Sequence, residues 1–249
     1  MFVAVSTRNF VDLSFEDACA QVSDLEFDRI ELWFDDRGRA DHLRVADVAT
    51  DAEAFVTRYR EATRLTPAAI TLAHDVSPDA LGGISKIAKR LRIAQVSLPA
   101  SDLGTPFNAE IERLRSLVSI AAQDGVRMAI RTQRGTLTED PHTAIELCQA
   151  VPGLGITLDP SHYMRTASPE RAMDLVMPYV YHILLRDSTA DSLQVQVGLG
   201  ELDYGRLISQ LRRVNYTRAL SIELLPDMLG DLQRPLELRK MRMLLESLL

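Results

Sequence analysis

Short apolar runs rich in β-branched residues alternate along this chain with longer segments whose apolar positions recur every three to four residues. Alternation with a period of two indicates a strand, and a period near 3.6 indicates a helix. Eight strands are predicted in this way, over residues 2–6, 29–33, 68–73, 94–98, 127–131, 155–159, 179–185 and 219–224. Strands that take turns with helices predict repeated βα units and a parallel sheet.

The helices between these strands carry recognisable start and stop signals. Four residues stand where a side-chain oxygen can cap a first helical turn: Ser14, Ser77, Asp140 and Ser168. Gly125 stands where glycine commonly ends a helix, and the last helix is expected over residues 235–248. Eight strands and eight helices fill 249 residues, the usual size of a (β/α)₈ barrel. We therefore predict one α/β domain over residues 1–249, a TIM barrel, with an open doubly wound sheet as the alternative.

The charge balance excludes some classes of function. The chain has 28 Lys and Arg against 35 Asp and Glu, a net charge of −7, with no clustered basic surface. Nucleic-acid and membrane-surface binding need such clusters, so neither partner is expected. No basic and apolar leader opens the chain, so we expect a cytoplasmic protein. Cys19 and Cys148 fall on apolar helix faces and are expected to be core residues.

Polar side chains collect at the predicted carboxyl ends of the strands, where TIM barrels place their sites. A barrel without a site would not need so many titratable groups on one rim. The group comprises Glu31, His74, Asp102, Arg131 with Gln133, Asp159 with His162, Arg186 and Glu223, with Trp33 as an apolar wall.

Four segments resemble the xylose isomerase-like barrels, a superfamily that includes sugar epimerases, hydroxypyruvate isomerase, inosose dehydratase and an endonuclease branch. The segments are Leu-Glu-Phe-Asp-Arg-Ile-Glu-Leu at 25–32, Asp-Pro-Ser-His at 159–162, Gly-Leu-Gly-Glu-Leu-Asp-Tyr at 198–204 and Ser-Ile-Glu at 221–223. The resemblance implies a xylose isomerase-like TIM barrel. It is poorly specific for any one reaction.

The resemblance also implies a divalent metal held by Glu, Asp, His and Glu after strands five to eight. Asp159 and Glu223 match two of these positions, but Arg131 and Leu184 replace the other two, and His182 lies one layer deeper. One guanidinium and two carboxylates leave the same net charge, −1, as three carboxylates and a dication. We therefore expect Arg131 to lie between Asp159 and Glu223 in place of the ion, with no metal or cofactor.

A fallback retains the metal with Arg131 turned away. In that case Mn, Mg, Zn or Co would be held by Asp159, Glu223, His74 and His162.

The function expected from the resemblance is an isomerase or epimerase acting on a small polyhydroxy carbonyl compound. Glu223 would be the proton-transfer base, Arg131 would stabilise the enediolate oxygen and His162 would assist. The substrate-contacting residues would be Glu31, Trp33, His74, Gln133, Asp159 and Arg186. Arg186 either meets an anionic group or forms a surface ion pair with Asp187 or Glu201.

Two other functions remain open: a lyase or dehydratase using the same base, and a non-catalytic descendant that binds a ligand. An endonuclease-like role is disfavoured by the acidic charge. A small-molecule substrate is the expected partner, and a homodimer is possible.

Overall fold

The computed structural model describes residues 1–249 and contains eight parallel strands in sequence order, closed by pairing of the eighth strand with the first. This is the predicted (β/α)₈ barrel, so the open sheet is excluded. The strands are β1 (Phe2–Ser6), β2 (Arg29–Phe34), β3 (Thr66–Leu72), β4 (Gln95–Pro99), β5 (Arg127–Arg131), β6 (Leu154–Leu158), β7 (Val180–Leu185) and β8 (Ala219–Ile222).

Nine α-helices surround the barrel, one more than predicted. They are α1 (Phe15–Asp24), α2 (Val45–Val48), α3 (Ala52–Ala62), α4 (Pro78–Arg90), α5 (Phe107–Ala122), α6 (Pro141–Ala150), α7 (Pro169–Val176), α8 (Tyr204–Arg213) and α9 (Arg234–Glu246). The unpredicted helix, α2, is a single turn of four residues, too short to show a helical period. No helix combines the length and the apolar character that crossing a membrane requires.

Local signals set most of the helix boundaries. The side chains of Ser14, Ser77 and Asp140 accept hydrogen bonds from the first turns of α1, α4 and α6, as predicted. Ser168 makes no such bond, so its predicted capping role is wrong, and Pro169 begins α7 without it. Gly125 has φ of +72°, a left-handed conformation that glycine adopts without strain, and it follows the end of α5.

The apolar core lies between the strands and the helices, whereas the inside of the barrel is polar. Alternate residues of a strand point inward, so each strand contributes to stacked layers in the interior. Ser97 and Thr157 share a hydrogen bond of 2.5 Å across it. Cys19 and Cys148 are buried among the core side chains, as expected. The polar interior is continuous with the region at the carboxyl ends of the strands.

Candidate active site

A cavity of about 800 Å³ opens at the carboxyl ends of the strands. Eight of the nine predicted catalytic and substrate-contacting residues line it: Trp33, His74, Arg131, Gln133, Asp159, His162, Arg186 and Glu223. Asp102 lines it too. The rim predicted from the strand ends is therefore one continuous surface in the structure.

Glu31 is the predicted contact residue that does not line the cavity. It lies mid-strand, two residues before Trp33, and a strand rises about 3.3 Å per residue, which puts Glu31 one layer deeper. Its Oε2 lies 2.9 Å from Nε2 of His182, and Oε1 accepts a hydrogen bond of 2.6 Å from Thr71. Burial raises the pKa of Glu31, but the charge and hydrogen bond of His182 outweigh burial and lower it. Glu31 therefore links β2 to β3 and β7 inside the barrel, through Thr71 and His182.

Arg186 links the two acidic residues of the cavity floor. Its Nη1 lies 2.8 Å from Oδ2 of Asp159, and its Nη2 lies 2.9 Å from Oε1 of Glu223. The Nε group donates to the backbone carbonyl of Glu223 at 2.9 Å, and Nη1 also donates to Ser161 Oγ. The side chain is only 1% exposed. Arg186 is therefore the guanidinium that bridges the two carboxylates.

The expected surface ion pairs of Arg186 are wrong for a local reason. Asp187 is turned away into the loop before α8, where its Oδ2 accepts hydrogen bonds from the backbone of Gly198 and Gly200. Glu201 accepts a hydrogen bond from the backbone of Ala190. With both neighbours engaged elsewhere, Arg186 at the end of β7 extends into the barrel mouth.

Arg131 does not bridge the two carboxylates, which corrects the sequence-based expectation. It is buried and lines the cavity, but it forms no ion pair, and its only side-chain hydrogen bond is from Nη2 to Oε1 of Gln133 at 2.9 Å. Its guanidinium carbon lies 4.9 Å from the centre of the Trp33 ring. Arg186 already occupies the space between Asp159 and Glu223, so Arg131 packs on the indole instead.

The surroundings of Arg131 disfavour its charge. Burial lowers its pKa to about 10; the negative charges of Glu223 and Asp159 oppose this shift, while Arg8 and Arg186 add to it. Its Nε is buried and has no hydrogen-bond partner. Arg131 is thus a buried cation without a counter-ion and with incomplete hydrogen bonding.

Sequence reasoning missed Arg8. It follows β1 in a 3₁₀ turn, and its Nη1 lies 2.7 Å from Oε1 of Glu223. Its guanidinium also lies 4.1 Å from the centre of the Trp33 ring. A charged residue two positions after the first strand was the available signal. With Arg8 included, three guanidinium groups face two carboxylates on the cavity floor and leave one positive charge.

His162 faces this floor as a neutral ring. Burial lowers its pKa to about 4, and the three arginines add to the shift while Asp159 opposes it. The backbone amide of Arg134 donates to Nδ1 at 3.2 Å, so the ring proton is on Nε2, 3.6 Å from Oδ2 of Asp159. Burial raises the pKa of Asp159, but the charge of Arg186 and the hydrogen bonds from Ser161 hold it below its ordinary value.

The outer part of the cavity carries a second set of charged groups. His74 is partly exposed, and its Nε2 lies 3.3 Å from Oδ1 of Asp35. Arg113 reaches the cavity from α5 and pairs with Glu110 and Asp75, both at 2.7 Å. Sequence reasoning missed this cluster because Arg113 and Glu110 belong to a helix rather than to a strand end.

The residues present do not fit the metal that the resemblance implies. Leu184 and Arg131 supply no ligand, and Arg186 occupies the space between the two remaining carboxylates. No group of three or more His, Cys, Asp or Glu side chains is arranged to hold a metal ion. The fallback set of Asp159, Glu223, His74 and His162 therefore does not form a ligand cluster, because His74 pairs with Asp35 at the outer rim.

Comparison with solved structures shows the same fold at low sequence identity. The probable 3-DHS dehydratase AsbF of Bacillus anthracis is 18% identical, with a TM-score of 0.74 and 99% of each chain covered. D-allulose 3-epimerase from Methylomonas sp. is 12% identical, with a TM-score of 0.75, covering 100% of this chain and 98% of that one.

A xylose isomerase-like TIM barrel protein from Mycobacterium smegmatis, solved in complex with magnesium, is 15% identical, with a TM-score of 0.73. The alignment covers 98% of this chain and 97% of that one. No curated protein sequence matches the chain. A family model for xylose isomerase-like TIM barrels matches residues 19–245. The chain belongs to the xylose isomerase-like TIM barrel family.

Proposed function

We propose that this protein is an isomerase or epimerase that removes and returns a proton beside the carbonyl group of a small polyhydroxy carbonyl compound. The observation that carries the proposal is the state of Glu223. Glu223 lines the cavity floor, its Oε1 pairs with Arg8 and Arg186, which fix the carboxylate, and its buried Oε2 has no hydrogen-bond partner. A fixed carboxylate with one free oxygen is suited to act as a general base.

The neighbouring residues supply the rest of the chemistry. When Glu223 takes the proton, negative charge develops on the carbonyl oxygen, and the guanidinium of Arg131, which lines the cavity, is placed to stabilise it. The Nε2 proton of His162 can be donated to a substrate oxygen. Returning the proton to the neighbouring carbon gives an isomerase. An epimerase results when a solvent-derived proton reaches the opposite face of the same carbon and Glu223 releases its own proton to solvent.

We further propose that this chemistry is independent of a metal. Arg186 makes two ion pairs and a backbone hydrogen bond where a cation would have to bind. Placing a dication about 4 Å from one guanidinium costs on the order of 8 kcal/mol at an effective dielectric constant of about 20. Guanidinium groups thus take over the electrostatic role of the ion.

Deuterium incorporation from heavy water into a panel of keto acids, ketoses and inososes tests the proposal. We expect exchange by the wild-type protein to persist in a chelator and to be unchanged by added Mn²⁺, Mg²⁺, Co²⁺ or Zn²⁺. The variant Glu223→Gln should lose about 10²- to 10⁴-fold of the exchange rate. Glu112→Gln, an exposed position on α5, is the matched control and should exchange normally.

Exchange that requires an added metal, or one tightly bound ion per purified chain, contradicts metal independence. A lyase would show exchange with loss of a β-substituent, since His162 Nε2 could protonate the leaving group. A ligand-binding protein without turnover is the other candidate, and its supporting observation is that Arg186 engages both floor carboxylates. Absence of exchange with every compound in the panel, together with measurable binding of one of them, would favour it.

A further inference from the structure

The five arginines that line the cavity differ in what neutralises them. Arg8 and Arg186 pair with the floor carboxylates, and Arg113 pairs with Glu110 and Asp75. Arg37 forms no ion pair but is exposed to water, which solvates its charge. Arg131 alone is both buried and without an ion-pair partner. It is therefore the arginine that a ligand can neutralise.

The net charge of the cavity floor indicates the charge of the ligand that it binds best. Three guanidinium groups and two carboxylates leave one positive charge on the cavity floor, because His162 is neutral. A neutral sugar entering the cavity would displace water without compensating that charge. A ligand with a single negative charge would compensate it fully, since a buried charge is stable only when it is paired. A phosphate monoester, with close to two charges, would overcompensate it.

The shape of the guanidinium narrows the choice to a carboxylate. A guanidinium presents parallel N–H donors that match the two oxygens of a planar acid. Nη2 donates to Gln133 and Nε is buried without a partner, whereas Nη1 forms no hydrogen bond within the protein and is not enclosed. Trp33 supports the plane of the group from one face. The Nη1 end of the group, which faces the cavity, can therefore contact a carboxylate oxygen together with the oxygen of an adjacent carbonyl.

We propose that Arg131 is the receptor for a substrate carboxylate next to the reacting carbonyl, so that the substrate class is the polyhydroxy 2-keto acids rather than neutral ketoses. The position of the reacting carbonyl rests on the proposed function, whereas the preference for an acid rests on the charges of the cavity. The two parts can therefore fail separately.

Equilibrium binding of a matched pair of compounds tests this assignment. 2-Keto-D-gluconate and D-fructose have the same carbon skeleton and differ by a carboxylate in place of a hydroxymethyl group. We expect the wild-type protein to bind the acid about 10- to 100-fold more tightly in calorimetric titrations, the range for hydrogen bonds to a charged group. Arg131→Met should abolish the difference, and Arg213→Met, at an exposed position of α8, should retain it.

Four results would overturn the assignment: equal or tighter binding of D-fructose, no binding of the acid at millimolar concentration, a preference that survives in Arg131→Met, and tighter binding of inorganic phosphate than of the acid. Should the methionine variant not fold, Arg131→Lys decides, because it retains the charge but loses the paired donors and should show a smaller preference. Acid binding without deuterium exchange supports the receptor and refutes the proposed function.

Discussion

Replacing Arg131 and Arg186 by methionine, one at a time, should change the stability of the free protein in opposite directions. Both side chains are buried arginines at the same rim, and methionine replaces the apolar stem but not the charged group. They differ in their partners: Arg186 has two carboxylates within 2.9 Å, whereas Arg131 has none. The two variants therefore separate the cost of an unpaired buried charge from the contribution of a paired one.

The magnitude for Arg131 comes from the lowering of its pKa from the ordinary arginine value to about 10. At about 1.4 kcal/mol per unit, this shift corresponds to about 3 kcal/mol. The sign is destabilising at neutral pH, because a cation with a lowered pKa in the folded state carries its full penalty below that pKa, and the penalty declines only as the pH rises above it. We expect Arg131→Met to stabilise the protein by about 1–3 kcal/mol.

For Arg186 the expected change is a loss of about 3–5 kcal/mol, because removing one partner leaves buried carboxylates uncompensated. In a chain of this length, 1 kcal/mol corresponds to about 2–4 °C in Tm. Thermal and urea unfolding without ligand should therefore place the Tm of Arg131→Met several degrees above, and that of Arg186→Met about ten degrees below, the wild-type value. A fall in both, or no change in Arg186→Met, would refute the reasoning.

Two further predictions concern other parts of the molecule. In α4, a Cβ at Gly83 would overlap the backbone carbonyl of Ala49, whereas a Cβ at Gly82 meets nothing within 4 Å. Urea unfolding should show Gly83→Ala losing about 1–3 kcal/mol or more and Gly82→Ala gaining up to about 1 kcal/mol; similar values for the two would contradict the packing. The pKa of His162, lowered to about 4, makes the unfolded chain bind more protons between pH 6.5 and 4. Stability should therefore fall by about 3 kcal/mol over that range as the pH decreases, and His162→Gln should remove most of this dependence, which unfolding at pH 4, 5 and 7 measures.

The fold could be predicted because strand pattern and chain length constrain it together. Eight strands of alternating pattern leave room for little besides a closed barrel, and strand ends place functional residues on one rim. The prediction that Glu31 contacts the substrate failed because the sequence pattern does not show how far along its strand a residue lies from the cavity. Glu31 and Trp33 point the same way, but only the structure shows that β2 continues to Phe34 and that Glu31 lies below the cavity.

The arrangement of the arginines could not be predicted for a different reason. Arg131 is the last residue of β5 and Arg186 directly follows β7, and the strand pattern allows either side chain to point between Asp159 and Glu223. The outcome depends on contacts that the strand pattern does not contain: Trp33 packs against Arg131, and the loop amides of residues 198 and 200 draw Asp187 away from Arg186. Residue types at the rim were therefore predictable, whereas their pairing was not.

The destabilisation of the free protein by Arg131 indicates whether the cavity has lost its function or still binds a ligand. A barrel that no longer bound anything would be more stable with an apolar residue at this position, because the guanidinium has no counter-ion in the free protein. Arg186, by contrast, compensates two buried carboxylates and would be needed in a purely structural barrel. Arg131 destabilises the free protein, lines a cavity of about 800 Å³ and has an unpartnered donor. This arrangement is expected of a ligand-binding site. Binding of a monoanion would return the energy that Arg131 costs, so the ligand should raise the Tm of the wild-type protein more than that of Arg131→Met.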